Sequence, residues 1–516
     1  MTVIKSRFPD VALTNKTVTQ RVFEGIVPER TVLVDGPTGR EMTGAQFIAA
    51  VKSLAGGLTQ RGFAPNRVLA LMAPNIPEYC VVFHGAAWAG DTITTVNPTY
   101  TVHEVQHQLI DSGAEILVVV APFLDTARKA VEGTRVQEII VIGEAEGATL
   151  LKDVMGAPLD EQAPVDVEEH IVALPYSSGT TGLPKGVMLT HRNLTVNIDQ
   201  SLVPADVKPQ EMTVAFLPFF HIYGLEVLMN IYLAAGAGLV TMPRFDLELF
   251  LNLVTKYRTP RLWIVPPVAL ALAKHPLVEK YDLSFVEQVN SAAAPLGADV
   301  AEAMGKRLGT NATQGYGMTE LSPVSHVSPQ GHGKPGASGV TVSNTECRIV
   351  DPETGHDLPV GEDGELWVRG PQVMKGYLNN PKATAETVVD GGWMRTGDIG
   401  HFDEDGYLYI TDRLKELIKY KGFQVAPAEV EAEILTHHEI ADVAVIGLPD
   451  ADAGEIPMAF VVPAPGATPT LETLQGYLEG RLSHYKQIRR MEIVSEIPKS
   501  TAGKILRRVL RAQISA

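Results

Sequence analysis

The chain has 516 residues, 45% hydrophobic and 20% charged, as expected for a globular protein of about three domains. Its 43 Lys and Arg against 60 Asp and Glu give a net charge of −17, which argues against general nucleic-acid binding because affinity for phosphates depends on Lys and Arg. The two cysteines exclude a disulfide framework and a cysteine zinc site, so we expect a reducing, cytoplasmic location.

The first two-thirds of the chain alternates short apolar runs with amphipathic segments. One helix is predicted at Pro77–Ala89, and strands are predicted at Val68–Met72, Glu115–Val120, Glu138–Gly143 and Val172–Tyr176. Strands that alternate with helices predict parallel sheets covered by helices. The apolar stretch 222–242 contains Glu226 and Asn230, so it is predicted to be buried in protein, and no membrane association is expected.

The chain changes character near Cys347, where glycine and proline become frequent. A β-rich subdomain is predicted there, with strands at Glu346–Val350, Glu365–Val368 and Tyr407–Ile410. The last hundred residues return to an α/β pattern, with strands at Val443–Gly447 and Ala459–Val462.

A glycine-rich segment, YSSGTTGLPKG, runs from Tyr176 to Gly186 between a predicted strand and a helix that begins near Thr190. Its amides, hydroxyls and Lys185 can turn toward an anion, which predicts a phosphate-binding loop. It is not a Walker A loop, because Pro184 and Gly186 replace the glycine and hydroxyl residue of that motif. An ordinary surface loop is the alternative.

Three further motifs follow. In QGYGMTE, from Gln314 to Glu320, the tyrosine can stack on a purine and the acid suits Mg²⁺. Asp398 can accept both ribose hydroxyls, and Arg413 can bind a phosphate. In the segment 498–507, Gly503 allows close approach of a ligand and Lys504 can neutralise an anion. Taken singly, these motifs could be a turn, a surface salt bridge and a basic helix start.

Together the four motifs resemble the adenylate-forming superfamily, which includes acyl-CoA synthetases, peptide-synthetase adenylation domains and beetle luciferases. The resemblance runs from about residue 30 to 512. It is strongest to the 4-coumarate–CoA ligases, whose sequences are similar at Tyr176 to His191, Phe220 to Tyr223, Ala293 to Gly297, Gly376 to Leu378 and Asp412 to Ala426.

The resemblance implies an α/β fold with a large N-terminal domain of two α/β sheet subdomains and a β-rich subdomain, followed by a small mobile α+β lid domain. The implied boundaries are 1–411 for the N-terminal domain, with its β-rich part at about 340–411, then a hinge at 412–416 containing Lys415, and a lid at 417–516.

The resemblance also implies an ATP-dependent acid–CoA ligase that uses Mg²⁺, with a carboxylic acid, ATP and coenzyme A as its partners. An acyl-adenylate forms first, and the thiol of coenzyme A then displaces AMP. By position, the implied nucleotide residues are Ser177, Ser178, Gly179, Thr180, Thr181, Lys185, Gln314, Gly315, Tyr316, Gly317, Asp398 and Arg413. The implied catalytic residues are Lys504, His221, Thr319 and Glu320, with Thr181 and Glu320 on the metal and Arg244, Lys421 and Gly422 on coenzyme A.

The resemblance implies an acyl pocket in which Ala292, Ala293 and Gly315 are small. Its full lining is His221, Tyr223, Val227, Ala292, Ala293, Gly315, Pro323, Val324, Val327 and Lys419. Its width favours a flat ring, so we expect 4-coumarate or a related hydroxycinnamic or aryl acid. Val227 and Asn290 stand where plant relatives usually carry Ser and Lys. The alternatives are a medium-chain fatty acyl-CoA synthetase, a luciferase-like oxygenase, a carrier-protein adenylation domain and a non-catalytic nucleotide-binding module.

One other motif matches the pattern of a different class of enzyme. His103, Glu104 and His107 match the HExxH pattern of zinc proteases. Thr101 and Glu104 also have the spacing of a capping box, which accounts for the acid structurally, so we favour a helix start over a zinc site.

Overall fold

The computed structural model describes residues 3–177, 184–293, 296, 298–352, 354–413, 418–425, 427–498, 505 and 507–514. Several predicted site residues lie outside these ranges, namely Ser178, Gly179, Thr180, Thr181, Lys415 and Lys504. The chain divides into two compact units. The first unit comprises Met1–Pro98, Gln108–Tyr176 and Gly186–Asp412, and the second comprises Thr99–His107, Ser177–Lys185 and Arg413–Ala516.

The strands in the described residues are β1 (Ile4–Lys5), β2 (Thr31–Asp35), β3 (Glu41–Thr43), β4 (Val68–Met72), β5 (Thr92–Thr95), β6 (Ile116–Val120), β7 (Glu138–Ile142), β8 (Thr149–Leu150), β9 (Ile171–Ala173), β10 (Tyr176–Ser177), β11 (Lys185–Thr190), β12 (Met212–Ala215), β13 (Gly238–Thr241), β14 (Arg261–Ile264), β15 (Gln288–Ser291), β16 (Ala312–Gly317), β17 (Val324–Val327), β18 (Val340–Thr341), β19 (Glu346–Val350), β20 (Gly364–Arg369), β21 (Gly376–Tyr377), β22 (Val388–Val389), β23 (Trp393–Phe402), β24 (Leu408–Arg413), β25 (Ile418–Tyr420), β26 (Phe423–Val425), β27 (Ile440–Asp450), β28 (Gly454–Pro463) and β29 (Arg490–Ile493).

The α-helices in the described residues are α1 (Val18–Gly25), α2 (Gly44–Gln60), α3 (Pro77–Ala89), α4 (Val102–Ser112), α5 (Leu124–Ala130), α6 (Leu151–Val154), α7 (His191–Ala205), α8 (Ile231–Ala234), α9 (Leu247–Tyr257), α10 (Pro266–Lys274), α11 (Ala298–Leu308), α12 (Pro381–Thr387), α13 (Pro427–Leu435), α14 (Leu471–Leu478) and α15 (Arg507–Ile514). A π-helix, Tyr223–Asn230, leads into α8.

A nine-stranded sheet has the order β10-β11-β9-β5-β4-β6-β7-β8, with β21 added beside β11. Its centre is parallel, because β4 pairs in parallel with both β5 and β6. Helices α2 and α3 contribute Phe47, Leu54 and Phe83 to the same buried cluster as Leu69 and Leu71 of β4. This arrangement confirms the predicted parallel sheet covered by helices.

Two smaller sheets complete the α/β part of the first unit. One has the order β12-β13-β2-β3, and the other has the order β14-β15-β16-β17-β18. Strands β14, β15 and β16 are parallel, whereas β17 and β18 add antiparallel. The segment after β16 therefore turns back on its own sheet, which places the residues of that turn at one sheet end.

The predicted β-rich part forms a six-stranded sheet of order β1-β19-β20-β23-β22, with β24 beside β23. Strand β1, near the start of the chain, pairs with β19 through Ile4 and Cys347. The second unit has its own sheet, β26-β25-β28-β27 with β29 beside β28, and its own buried cluster that includes Ile418, Val445 and Leu474. The predicted α/β fold class is confirmed.

Local sequence signals account for several element ends. Helix α3 begins with Pro77 and ends at Gly90, whose φ of 86° suits only glycine. Helix α7 begins with a capping box in which Thr190 and Asn193 bond each other's backbone N–H. The predicted strand Val172–Tyr176 divides into β9 and β10, because Pro175 has no N–H for a sheet bond. The strand Lys185–Thr190 was not predicted.

The apolar stretch 222–242 is buried protein, as predicted, since Leu225, Met229 and Leu239 are fully enclosed. Among the described helices, none is both long and apolar enough to cross a membrane.

Candidate active site

The predicted purine motif spans the end of strand β16 and the tight turn that follows it. The side-chain carbonyl of Gln314 accepts a hydrogen bond from Leu296 N at 2.8 Å, which fixes the start of the motif. Gly317 packs against the returning chain so closely that a Cβ there would lie 2.1 Å from Pro323 O. Only glycine fits this position, so the turn presents Thr319 and Glu320 at the strand end.

Tyr316 and Asp398 lie 82 residues apart in sequence, but the fold brings them together. The Tyr316 hydroxyl donates to Asp398 Oδ2 at 2.6 Å. The backbone N–H of Asp398 donates to Thr396 Oγ1 at 3.1 Å, and that hydroxyl donates to Leu366 O. An aromatic face and a buried, positioned carboxylate thus stand side by side, which suits a purine and its ribose.

Glu320 lies in a short 3₁₀ turn and is only 4% exposed. The Tyr377 hydroxyl donates to Glu320 Oε1 at 2.9 Å, and Met374 N donates to Glu320 O. Burial raises the pKa of the Tyr377 hydroxyl, so this group remains a neutral donor. A neutral donor orients the carboxylate and adds no positive charge beside it, and carboxylate oxygens are ligands that Mg²⁺ favours.

His221 precedes the π-helix that carries Tyr223 and Val227. Tyr223 N donates to His221 Nδ1 at 3.2 Å, so the proton of the neutral ring sits on Nε2. Burial lowers the pKa of His221 to about 4, which keeps the ring neutral at pH 7. The Nε2–H group is therefore a hydrogen-bond donor that can serve an acyl carbonyl oxygen.

The remaining predicted acyl residues of the first unit follow two neighbouring strands. Ala292 and Ala293 come directly after β15, and Ala293 holds a left-handed φ of 70°, a strained conformation for a residue with a side chain. The others lie on β16 and β17 or in the turn between them, namely Gly315, Pro323, Val324 and Val327. The two groups meet because β15 and β16 are adjacent parallel strands.

Lys421 and Gly422 form the tip of a hairpin in the second unit. They separate β25 from β26, and their φ values of 50° and 83° are those of a two-residue type I′ turn. Both residues are exposed, and Lys419 lies two residues earlier on β25, where its N–H donates to Glu455 Oε2 at 2.7 Å. The hairpin therefore presents a lysine to solvent.

The other predicted site residues are placed by their elements. Ser177 ends β10, Lys185 begins β11, Arg244 is exposed after β13, and Arg413 ends β24. The side chain of Arg413 lies outside the described part of the structure. The loop between β10 and β11 is outside it as well, so the predicted phosphate-binding residues Ser178 to Thr181 stay predictions.

Sequence reasoning assigned no role to three residues that contact or lie near predicted site residues, namely Tyr377, Asn290 and His326. The Tyr377 hydroxyl donates a hydrogen bond to Glu320, whereas the sequence placed Tyr377 only within the family motif Gly376 to Leu378. Asn290 Oδ1 lies 3.5 Å from the point that a Cβ on Gly315 would occupy. His326 is fully buried opposite Tyr316. No local signal marks these contacts, because each joins residues on different elements of the fold.

The capping box at Thr101 and Glu104 is confirmed. Thr101 N donates to Glu104 Oε2 at 2.8 Å, and Glu104 N donates to Thr101 Oγ1 at 3.4 Å. Within the second unit, Glu104 also accepts hydrogen bonds from Ser483 Oγ and Lys486 Nζ. Structural partners therefore account for the acid of the HExxH pattern.

Comparison with known proteins shows the family to which the chain belongs. Residues 25–378 match the AMP-binding enzyme family, and residues 429–504 match the AMP-binding enzyme C-terminal domain. 4-Coumarate–CoA ligase 1 of Petroselinum crispum is 41% identical over 529 aligned positions, covering 100% of this chain and 97% of the relative.

Two solved structures share the fold. The amide bond synthetase McbA from Marinactinospora thermotolerans has a TM-score of 0.85 at 29% identity and covers 96% of this chain and 99% of its own. A double mutant of the o-succinylbenzoate CoA synthetase MenE from Bacillus subtilis has a TM-score of 0.85 at 26% identity, with 96% and 98% coverage.

The chain therefore belongs to the family of AMP-binding, adenylate-forming enzymes. Its full-length similarity to 4-coumarate–CoA ligases identifies it within that family as an AMP-forming acid–CoA ligase. ATP and coenzyme A are the co-substrates of this enzyme group.

Proposed function

We propose that this enzyme activates 4-coumarate or a related hydroxycinnamic acid. The observation that carries the proposal is the absence of a side chain at Gly315, where even a Cβ would make close contacts. Among the described residues, a Cβ there would have only His326 O and Asn290 Oδ1 within 4 Å, at 3.3 and 3.5 Å. A planar ring can lie against this backbone, and the Asn290 amide can bond a ring hydroxyl. The similarity to 4-coumarate–CoA ligases supports the same substrate class.

The proposed chemistry has two steps. A carboxylate oxygen of the acid attacks the α-phosphorus of ATP, the bond from that phosphorus to the β-phosphate oxygen breaks, and pyrophosphate leaves. The sulfur of coenzyme A, after losing its proton to solvent, attacks the acyl carbon and AMP leaves. Both steps bring anions together, so positioned donors and cations should dominate catalysis.

We propose that Tyr316 stacks on the adenine, with Gln314, Gly315 and Gly317 framing it, and that Asp398 holds the ribose. The hydrogen bond from Tyr316 to Asp398 supports this arrangement because it joins the two recognition groups. Thr319 is proposed to contact the α-phosphate and Arg413 to lie near the ribose. The loop from Ser177 to Thr181, with Lys185, is proposed to hold the outer phosphates.

We propose that Glu320 and Thr181 hold Mg²⁺. The nearly buried Glu320 carboxylate fits this role, since Tyr377 orients it through a neutral hydroxyl. The ion would neutralise charge on the phosphate oxygens when bound.

His221 is proposed to donate from Nε2 to the acyl oxygen, in a pocket with Tyr223, Val227, Ala292, Ala293, Pro323, Val324, Val327 and Lys419. Lys504 is proposed to serve adenylation, whereas Lys421 and Gly422, with Arg244, serve coenzyme A, and Lys415 is the hinge residue. These assignments follow the family motifs. The proposed location is the cytoplasm, which the two unpaired, buried cysteines support.

The first test measures pyrophosphate release across a panel of acids, with and without coenzyme A, and thioester formation by chromatography. We expect hydroxycinnamates to give the highest kcat/KM and coenzyme A to raise turnover. A preference of more than about tenfold for octanoate over 4-coumarate would move the assignment to fatty acids, since pockets discriminate close analogues only weakly.

Asn290→Ala tests the pocket itself. We expect it to lower kcat/KM for 4-coumarate about five- to tenfold and to leave cinnamate, which has no ring hydroxyl, nearly unchanged, because only one neutral hydrogen bond is lost. An equal loss for both acids would show that Asn290 does not read the hydroxyl.

Lys504→Ala tests the division between the two steps. It should slow adenylation at least about 100-fold, the scale of losing one transition-state donor, and largely spare thioester formation from supplied acyl-adenylate. Lys382→Ala is the matched control, because Lys382 is an exposed lysine with 88% of its side chain accessible. Equal losses in both steps would contradict the assignment of Lys504.

A further inference from the structure

His326 lies beside Tyr316, the residue that we place on the adenine. It pairs with Tyr316 across the antiparallel strands β16 and β17, so both side chains share one face of the sheet. Their ring centroids are 5.8 Å apart, and the ring centroid of Phe402 lies 5.6 Å from that of His326. The imidazole is fully buried, so it cannot touch substrate and can act only through its neighbours.

A continuous chain of hydrogen bonds fixes this imidazole. Thr341 Oγ1 donates to Cys347 Sγ at 3.8 Å, and Cys347 Sγ lies 3.5 Å from His326 Nε2. His326 Nδ1 lies 3.0 Å from Ser325 Oγ, which donates to Tyr316 O at 3.4 Å. Since Ser325 gives its proton to Tyr316, it accepts from Nδ1–H, and Nε2 then accepts from the thiol.

The protonation states agree with that direction. Burial lowers the pKa of His326 to about 3 and raises the pKa of the Cys347 thiol to about 12. At neutral pH the ring is uncharged and the sulfur keeps its proton. This pair is therefore no Cys–His nucleophile, which requires a thiolate, and its chemistry is that of a fixed support.

We propose that His326 is a positioning residue for the nucleotide, which it serves by holding the ring and the backbone of Tyr316 in place. Its ring packs beside the Tyr316 ring, and its hydrogen-bond chain ends on the Tyr316 carbonyl. Tyr316 in turn reaches Asp398, so movement of the ring would disturb the adenine and ribose contacts together. The inference rests on the proposed nucleotide role of Tyr316 and Asp398.

The test compares His326→Ala, which removes both the ring and the chain, with His326→Phe, which keeps a ring and removes the chain. KM for ATP, KM for the acid, kcat and the calorimetric Kd for AMP are measured for each. His326→Ala should raise KM for ATP and Kd for AMP about tenfold, with kcat and KM for the acid within about threefold, because one buried hydrogen-bonded group is lost. His326→Phe and Cys347→Ala should each give a smaller rise in the same constants.

His84→Phe is the matched control, since His84 is also fully buried with a pKa of about 3 but bonds Thr19. A purely structural role for His326 would lower the active fraction, and hence kcat, without changing KM or Kd, and that result would overturn the proposal. If His326→Ala does not fold, His326→Phe and Cys347→Ala decide by the same constants.

Tyr316→Ala separates the proposal from its premise. If Tyr316→Ala leaves the Kd for AMP unchanged, the nucleotide site itself is misassigned. If it weakens AMP binding and the His326 variants do not, only the positioning role fails.

Discussion

The Tyr377 hydroxyl contacts a carboxylate that we assign to the metal, and this single contact can be tested alone. Tyr377→Phe removes the donor at 2.9 Å from Glu320 Oε1 and keeps the ring. The carboxylate then loses one orienting partner. We expect the Mg²⁺ concentration for half-maximal pyrophosphate release to rise about three- to tenfold, as for one lost hydrogen bond, with KM for the acid unchanged.

The control for that prediction is Tyr79→Phe. Tyr79 is a buried tyrosine like Tyr377, but its hydroxyl has no hydrogen-bond partner among the described residues. Calorimetric titration of Mg²⁺ with AMP present gives a readout independent of turnover. Equal Mg²⁺ dependence in both variants would show that Tyr377 does not orient Glu320 for the ion.

Individual site residues were predictable only where a local motif carried them. Tyr316 and Asp398 each belong to a short motif, and the family resemblance placed both on the nucleotide. The partners Tyr377, Asn290 and His326 were not assigned, because their contacts join different elements of the fold. A hydroxyl that bonds a carboxylate 57 residues away leaves no periodicity in the sequence.

At the scale of elements, the predicted ends of helices and strands agree with the structure where the local sequence signal is strong. Val68–Met72, Pro77–Ala89 and Glu346–Val350 agree residue for residue with β4, α3 and β19. The π-helix Tyr223–Asn230 had no such signal. Its Gly224 packs so tightly that a Cβ would lie 2.2 Å from Pro218 O, a tertiary constraint that an apolar pattern does not encode.

The grouping of the segment Thr99–His107 also had no local signal in the sequence. This segment belongs to the second unit, whereas its neighbours in sequence belong to the first. Within that unit, Lys486 Nζ donates to Glu104 Oε1 at 2.9 Å and to Glu429 Oε1 at 2.8 Å. Lys486 is 1% exposed, so the three charges are almost wholly removed from water. Each of these charged groups therefore depends on its oppositely charged neighbour for stabilisation.

Lys486→Met should lower the free energy of unfolding by about 3 kcal/mol, because two buried carboxylates would lose their cation. Urea unfolding measures the loss. Lys382→Met, at an 88% exposed lysine, should cost less than about 0.5 kcal/mol. Adding Glu104→Gln and Glu429→Gln to Lys486→Met should restore part of the stability, and a single variant no worse than the control would contradict the charge argument.

Across the whole molecule, buried histidines and buried carboxyls change the free energy of unfolding in opposite directions as the pH rises. Burial lowers the pKa of His84, His191 and His326 to about 3, well below the ~6.5 of an unfolded histidine. Their contribution is complete above pH ~6.5 and is lost as the pH falls toward 3. Burial raises the pKa of Glu226, whose contribution is instead lost as the pH rises. Burial raises the pKa of Asp91 as well, so its contribution to stability is also lost as the pH rises.

Asp91→Asn isolates one of these opposing contributions. Burial raises the pKa of Asp91 to about 7, although Arg67 N donates to its Oδ1 at 3.0 Å. An unfolded aspartate titrates near ~3.9, so the native carboxyl contributes stability that is complete below that pH and lost as the pH rises through 7. Asparagine carries no such dependence. The stability of the variant relative to the parent should therefore rise by about 3 kcal/mol between pH 5 and pH 8, measured by urea unfolding. Asp125→Asn, at a carboxylate 91% exposed, should show a flat difference, and an equally flat difference for Asp91→Asn would mean that burial does not hold its proton.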